Sequence, residues 1–395
     1  MLFFADGAIF GSWVSRVPAI EDHIHARTGP LGLALLGIAF GTLLSRQMAG
    51  QLVVRMGSRV IARAGIVSCC ATLPLPALAP TALWLLLALS GFGAALGVLD
   101  VAINANGVAV QAQVGRPIMS SFHGIYSIGG LSGSLAGGRA AAAGAPVFLH
   151  FLLAGVVLAG LSLLVSPWLL GRRGLRSRGA GAGTAGREEP ARGWAKLPSP
   201  YRLPLFMLGL VALCSMVGEG AAGDWGAIYL RHNLGTSIGF ASSGFAAYSL
   251  AMAAGRLLGD RLVARWGELY MITRSAAVAG TGFAIAVLIG DPVAAICGFT
   301  VLGLGLAAVI PVTFSAAGRL GGNVAGPAIT VVSSIAVVGS LAGPPVIGFA
   351  AEVVGLPAAL GLVSLLAFAA AGLIWTVKPV REHAPARKHP AASLT

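Results

Sequence analysis

With 395 residues, 56 % of them hydrophobic and only 10 % charged, and a mean hydropathy of +0.86, the chain cannot furnish the charged surface of a water-soluble protein. Its formal net charge of +13 does not indicate nucleic acid as a partner, because the basic residues gather in alternate loops rather than in one patch. Cys69, Cys70, Cys214 and Cys297 all fall in apolar stretches and read as small packing residues, with no disulfide framework and no metal-ligand spacing.

A hydrocarbon core takes roughly 20 apolar residues per helical crossing. Twelve such stretches predict helices over 2–20, 31–53, 60–79, 82–110, 118–138 and 146–170, then 203–228, 239–259, 269–289, 292–315, 326–350 and 355–377. The first has no basic leader and contains Asp6 and Arg16, so it reads as a resident helix rather than a signal peptide. Because the chain starts almost directly in the membrane, a few residues are expected to be missing upstream. Residues 171–202 are basic and Gly/Ala-rich and cannot build a core, so they read as a flexible linker. The expected organisation is a bundle over 1–170, the linker 171–202, a second bundle over 203–377 and a tail over 378–395.

Basic residues fall in one set of loops: Arg55, Arg59, Arg63 and Arg116, the linker, Arg261, Arg265 and Arg319, and the tail with Lys378, Arg381, Arg387 and Lys388. The intervening loops carry Arg27, Arg139 and Arg231. That bias places both termini and the linker in the cytoplasm.

The halves look alike. Leu52-Val-Val-Arg-Met-Gly57 matches Leu262-Val-Ala-Arg-Trp-Gly267, Gly11-Ser-Trp13 matches Gly223-Asp-Trp225, and Gly-Ser-Leu-Ala-Gly occurs at 133–137 and 339–343. Three matches in one order, at equivalent topological positions, imply a duplicated six-helix unit. The fold class is therefore an all-α membrane protein with twelve transmembrane helices in two pseudo-symmetric six-helix bundles.

On these residues the chain resembles the major facilitator superfamily of transporters. Gly50-Gln-Leu-Val-Val-Arg-Met-Gly-Ser-Arg59 is similar to that family's loop signature after helix 2, with Val54 where an acidic residue normally stands. Gly255-Arg-Leu-Leu-Gly-Asp260-Arg261, continuing to Arg265-Trp-Gly267, is its second copy. The resemblance implies a cytoplasmic gate at Arg55, Gly57, Arg59, Asp260, Arg261 and Arg265. Within the superfamily, Gly11–Ile20 and Asp100-Val-Ala-Ile-Asn104 resemble the fucose-permease-like branch and a neighbouring bacterial inner-membrane group. That likeness implies a proton-coupling or substrate role for Asp100 and Asn104, and a bacterial inner-membrane location. Asp6 lies too early to match the branch's acidic site on helix 1.

Ionised side chains near the bilayer centre cost at least about 2.5–3.5 kcal/mol, so each asks for a partner or a wet cavity. Asp100 and Asn104 share a helix face; they serve coupling, or they tie helices together. Arg16 either pairs with Asp100 or snorkels to the headgroups. Trp13, three residues earlier, stacks on a sugar ring or packs in an apolar core. His123, Tyr126 and Ser127 make one polar stripe, read either as a proton relay or as helix packing. Glu219, Asp224 and Trp225 lie among glycines that permit a break near a substrate site. Arg46, Arg256 and Arg274 read as gate or snorkelling charges.

The expected function is proton-coupled secondary transport of a small neutral or weakly polar solute such as a sugar, by alternating access. A proton-driven exporter of drugs or metabolites is the alternative, and a non-transporting sensor with a transporter fold is a further rival. No enzyme site is expected, for there is no nucleophile–base pair, nucleotide loop or metal box. The expected partners are the solute and the bilayer, with no cofactor beyond protons, and the protein is expected to be a monomer.

Overall fold

The structure is a computed structural model, and it describes residues 1–115, 118–171, 197, 199–321 and 324–377, without the side chain of Asp260. Most of the expected linker, the expected tail and Arg116 lie outside the described residues. Among those described, the chain is helical and has no strand.

The first half comprises α1 (Leu2–Val14), α2 (Val17–Ile24), α3 (Thr28–Met56), α4 (Ser58–Thr72), α5 (Ala82–Val114), α6 (Met119–Ala142) and α7 (Val147–Val165). The second comprises α8 (Ser199–Asp224), α9 (Gly226–Ile228), α10 (Ile238–Ala241), α11 (Ser243–Trp266), α12 (Glu268–Ile289), α13 (Pro292–Leu306), α14 (Val309–Gly321), α15 (Ala325–Val354) and α16 (Leu356–Leu373). Ten helical stretches among the described residues are long and apolar enough to cross a membrane. The other two crossings differ for different reasons. The first is divided between α1 and α2, each shorter than a span. α6 has the length, but its Gly- and Ser-rich sequence makes it less apolar.

Several expected helices are interrupted, and each interruption has a local cause. α2 starts after Arg16, with Pro18 in its first turn, where a missing N–H costs no helical bond. α4 stops at Thr72 because Pro74 and Pro76 follow, and the chain continues as a tight 3₁₀ turn over Leu75–Leu78. The break that the glycines after Glu219 permit falls at the end of that segment. α8 runs unbroken to Asp224 and is interrupted only at Trp225. The segments expected as gate loops are helical instead, because α3 continues to Met56 and α11 to Trp266. Only one glycine separates each from the next helix. Gly57 (φ 91°) and Gly267 (φ 76°) occupy backbone that other residues rarely adopt. Their N–H groups donate to the carbonyls of Val53 and Val263, each at 2.8 Å.

The packing repeats as the sequence does. In the first half α1 packs on α6, α3 and α4 on α5, and α4 on α7; in the second α8 packs on α15, α11 and α12 on α13, and α12 on α16. These are the same pairings of first with fifth, second and third with fourth, and third with sixth crossing. The halves meet along two seams, α3 with α15 and α6 with α11, which the same pseudo-symmetry exchanges. Close approach is set by missing side chains. A Cβ on Gly41 would run into the Ser90 carbonyl of α5, and one on Gly7 into the Tyr126 carbonyl of α6.

Two ends of the molecule can be told apart. One, here the basic end, carries the Gly57 and Gly267 junctions and the arginine-rich segments. At the opposite end the halves are tied together. Arg27 and the Gly29 N–H meet Glu352, and His232 lies 3.3 Å from Glu21 and 3.5 Å from Asp22.

Candidate functional site

Between the halves lies a cavity of about 390 Å³, closed towards the opposite end by those ties and by the seams. Its wall takes carboxylates from α1, α5 and α8 and guanidiniums from α3 and α11. Asp6, Asp100, Glu219 and Asp224 supply the first, and Arg46 and Arg256 the second. His123, Tyr126 and Ser127 of α6 line it as well. Phe3, Phe10, Phe245 and Tyr248 give it aromatic surfaces, and Phe10 meets Phe245 across the halves at 5.8 Å.

Asp100 sits near the middle of α5. Its Oδ2 accepts from Arg46 Nη2 at 2.9 Å, and its Oδ1 from Asn104 Nδ2 at 2.7 Å. Asn104 also donates to the Asp100 carbonyl, so one amide fixes the carboxylate against its own helix. The partner expected for Asp100, Arg16, is elsewhere. Arg16 is buried at the start of α2 and donates to the Ala145 carbonyl. Snorkelling is excluded by the same burial. Arg46 takes the pairing role because α3 and α5 lie side by side.

Glu219 faces Arg256, with Oε2 and Nη2 3.9 Å apart, and Arg256 Nη1 donates to Ser127 Oγ at 3.0 Å. Tyr126 lies within electrostatic reach of Asp6, Asp100, Glu219 and Arg256, which places it amid the charged groups of both halves. His123 lies within reach of Arg256 and Asp100 and packs edge-on against Phe3. Asp224, at the end of α8, lines the same cavity.

Other expected residues lie apart from it. Trp13 is fully buried between Phe92 and Phe151, in the core of the first half. Trp225 is fully buried near Gly348 in the second. They are equivalent residues of the repeat, and both fill cores. At the basic end Arg55, Arg261 and Arg265 are exposed, and Arg59 Nε donates to the Leu169 carbonyl of its own half at 2.7 Å. The gate expectation for Asp260 rests on a side chain outside the described set. Arg274 lies over the rings of Trp266 and Tyr270 at 5.5 and 5.7 Å, a cation–π stack rather than a gate contact.

Three charged residues of the cavity were given no place at the site by the sequence reading. Asp6, set aside as too early, is buried on the wall near enough to Asp100 for mutual repulsion. Arg46 and Arg256, expected at a gate or headgroup, are the cationic partners of the site. Their signal was the repeat itself: they are separated by 210 positions, as are Gly57 and Gly267.

The arrangement can hold and exchange protons on carboxylates of unequal pairing. Asp100 and Glu219 face guanidiniums, while Asp6 and Asp224 have no cationic partner among the described residues. It can also hydrogen-bond a polar solute against aromatic walls.

The sequence model described as Major Facilitator Superfamily matches residues 1–326. The uncharacterised transporter y4wD of Sinorhizobium fredii (strain NBRC 101917 / NGR234) is 35 % identical over 365 residues, 92 % of this chain and 93 % of that protein. An uncharacterised MFS-type transporter of Yersinia pestis is 34 % identical over 93 % of this chain and 91 % of its own length. The membrane protein MosC of Rhizobium meliloti is 30 % identical over 91 % and 84 %. Among solved structures, the nucleoside transporter NupG superposes with a TM-score of 0.71 over 96 % of this chain and 97 % of its own. At 14 % identity that likeness shows the fold.

Proposed function

The chain belongs to the Major Facilitator Superfamily, and on that footing we propose that it is a proton-coupled secondary transporter of a small polar solute, a sugar being the first candidate. Transport across a membrane is what the family does; the coupling ion, the solute and the mechanism are this reading. One observation carries it. Four carboxylates from three helices face a cavity between two pseudo-symmetric halves that meet along two seams and are tied together at the end away from the arginines. Protons bound there alter the charge that the halves must accommodate when they rock, and a solute in the cavity meets both halves at once.

The sugar rests on two supports. Gly11–Ile20 and Asp100–Asn104 resemble the fucose-permease-like branch, and the wall alternates hydrogen-bonding groups with aromatic faces suited to the C–H surface of a pyranose. The excess of arginine in one set of loops supports a cytoplasmic side for the basic end and for both termini, in a bacterial inner membrane.

The test is proteoliposomes holding a pH dye, challenged with monosaccharides one at a time and with nucleosides as a second panel. Wild-type protein is run beside Asp100→Asn, Asp6→Asn and Glu219→Gln. A sugar-triggered pH change, lost in the carboxylate variants, supports symport of that sugar. Solute flux without proton movement would remove proton coupling, and flux of nucleosides alone would remove the sugar.

A further inference from the structure

The two cavity guanidiniums hold the same place in their halves and have different partners. Arg46 bonds within the first half, to Asp100. Arg256 divides its contacts between the halves, bonding Ser127 of α6 at 3.0 Å and standing 3.9 Å from Glu219 of α8. A charge-assisted hydrogen bond prefers about 2.7–2.9 Å, so Glu219 holds Arg256 loosely and Ser127 holds it well.

The Ser127 bond lies on the seam between α6 and α11. Nearer the opposite end this seam is packed through small residues. Gly138 faces Ser242, Ser134 Oγ donates to the Ser242 carbonyl at 2.8 Å, and Gly130 leaves about the space that Ser249 fills. Opening the opposite end requires α6 and α11 to move against one another. A side-chain bond of 3.0 Å is lost once its atoms stand about 3.6 Å apart. This tie therefore belongs to the arrangement in which the cavity faces the basic end.

We propose that Glu219, Arg256 and Ser127 form a tie between the halves through which the charge of Glu219 sets which way the cavity faces. With Glu219 neutral, Ser127 is the acceptor left to Arg256, and the tie holds the basic-end-open arrangement. With Glu219 ionised, the carboxylate draws the guanidinium to itself, the Ser127 bond is released, and the opposite-end-open arrangement gains. The proton goes on and off the Glu219 carboxyl group from water in the cavity, and no other bond changes. Tyr126 of α6 and Tyr248 of α11 stand within electrostatic reach of Glu219. Asp224 of its own helix lines the same cavity, and Asp6 and Asp100 act on Tyr126 from the first half. α15 contributes the uncharged Ser340 and Pro344, while Leu306 of α13 and Val363 of α16 lie against neighbouring Gly218. Arg256 is thus the cation facing Glu219, and Ser127 is a positioning residue that acts through it. The inference rests on the alternating-access reading given above.

The test is a distance between two spin labels on exposed basic-end positions, Val60→Cys on α4 and Ala264→Cys on α11, with the four native cysteines replaced by alanine. Distance distributions are recorded in nanodiscs between pH 5.5 and pH 8.5. The expected wild-type result is a long and a short population, the long one declining as pH rises. Glu219→Gln should keep the long population dominant and abolish the pH response. Ser127→Ala should shift the ratio towards the short population roughly fivefold, the equivalent of about one hydrogen bond, and Ser127→Thr should restore it. Two populations whose ratio ignores pH, or ignores both substitutions, overturn the tie and leave alternating access standing. A single distance in every protein at every pH overturns the tie and the transport mechanism together.

Discussion

Arg46 and Arg256 occupy equivalent positions in the two halves, and each points a guanidinium at a carboxylate of a neighbouring helix in its own half, Asp100 for the first and Glu219 for the second. The contacts are unequal, at 2.9 and 3.9 Å. Duplication placed an arginine at one height on both sides of the cavity, and the partners then diverged. Asp100 lies on the fourth crossing and Glu219 on the seventh. The pseudo-symmetry of the fold therefore does not extend to the charge pairs.

For the first pair this implies a separation of stability from transport. Both side chains of the Arg46–Asp100 pair are more than a third exposed, so solvent screens it and its net worth is about 1 kcal/mol or less. Asp100→Asn should lower thermal stability in detergent only slightly, while proton-coupled uptake falls at least roughly tenfold, as expected where a coupling group is lost. Adding Arg46→Gln should recover the small stability loss and leave uptake low. Uptake restored by the double variant would mean that Asp100 serves only to neutralise Arg46.

Trp13 gives the opposite contrast. Fully buried between Phe92 and Phe151, it touches no cavity wall. Trp13→Phe removes core volume and should cost about 1–2 kcal/mol of stability, with the KM for the transported solute unchanged. Tyr126→Phe, which alters a hydroxyl among the cavity charges, should change transport more than the melting temperature. A raised KM in Trp13→Phe without loss of stability would return the residue to the binding site.

Helix number, the division into halves and the duplication were legible in the sequence because they depend on apolar length and on repeated residues, both of which are local. The site was legible only in part. Asp100, Glu219, His123 and Tyr126 could be noticed as polar groups inside apolar stretches. Their partners could not, because pairing depends on which helices lie adjacent. Arg16 went astray for that reason: its acceptor is the backbone carbonyl of Ala145, a group every residue carries. Asp6 was set aside because it lies too early to match the acidic site of the resembled branch, a comparison that says nothing of which helices its side chain meets. The packing of α1 on α6 buries it and brings it to the cavity wall.

Close helix contacts make a prediction that separates kinds of glycine. At Gly41 a Cβ would press on the Ser90 carbonyl, backbone of a neighbouring helix that cannot yield without moving α5. Gly41→Ala should therefore destabilise by about 1–3 kcal/mol, as overpacking does. Gly160, on α7, has nothing within 4 Å of the equivalent position. There the exchange should be neutral or stabilising by up to about 1 kcal/mol, since alanine is the better helix former. Melting temperatures of the two variants in one detergent decide the matter.

The ties at the opposite end carry a pH dependence whose sign can be worked out. Glu21 lies in the second half of α2, past the end of the first crossing expected over 2–20, and burial, with Asp22 beside it, raises its pKa from 4.5 to about 7. The folded chain thus binds a proton at Glu21 more tightly than the unfolded chain, so ionising it costs stability. Below about pH 4.5 the carboxyl is protonated in both states and Glu21→Gln should have no effect. Between about 4.5 and about 7 the cost grows, and above 7 it is fully present, on the order of 1–3 kcal/mol. The contact with His232, at 3.3 Å, acts against this cost. The expected result is a melting temperature for Glu21→Gln that matches wild type at pH 4, exceeds it slightly at pH 5.5 and exceeds it most at pH 8. A variant less stable than wild type at pH 8 would mean that the His232 contact outweighs desolvation, and that this tie strengthens as Glu21 ionises.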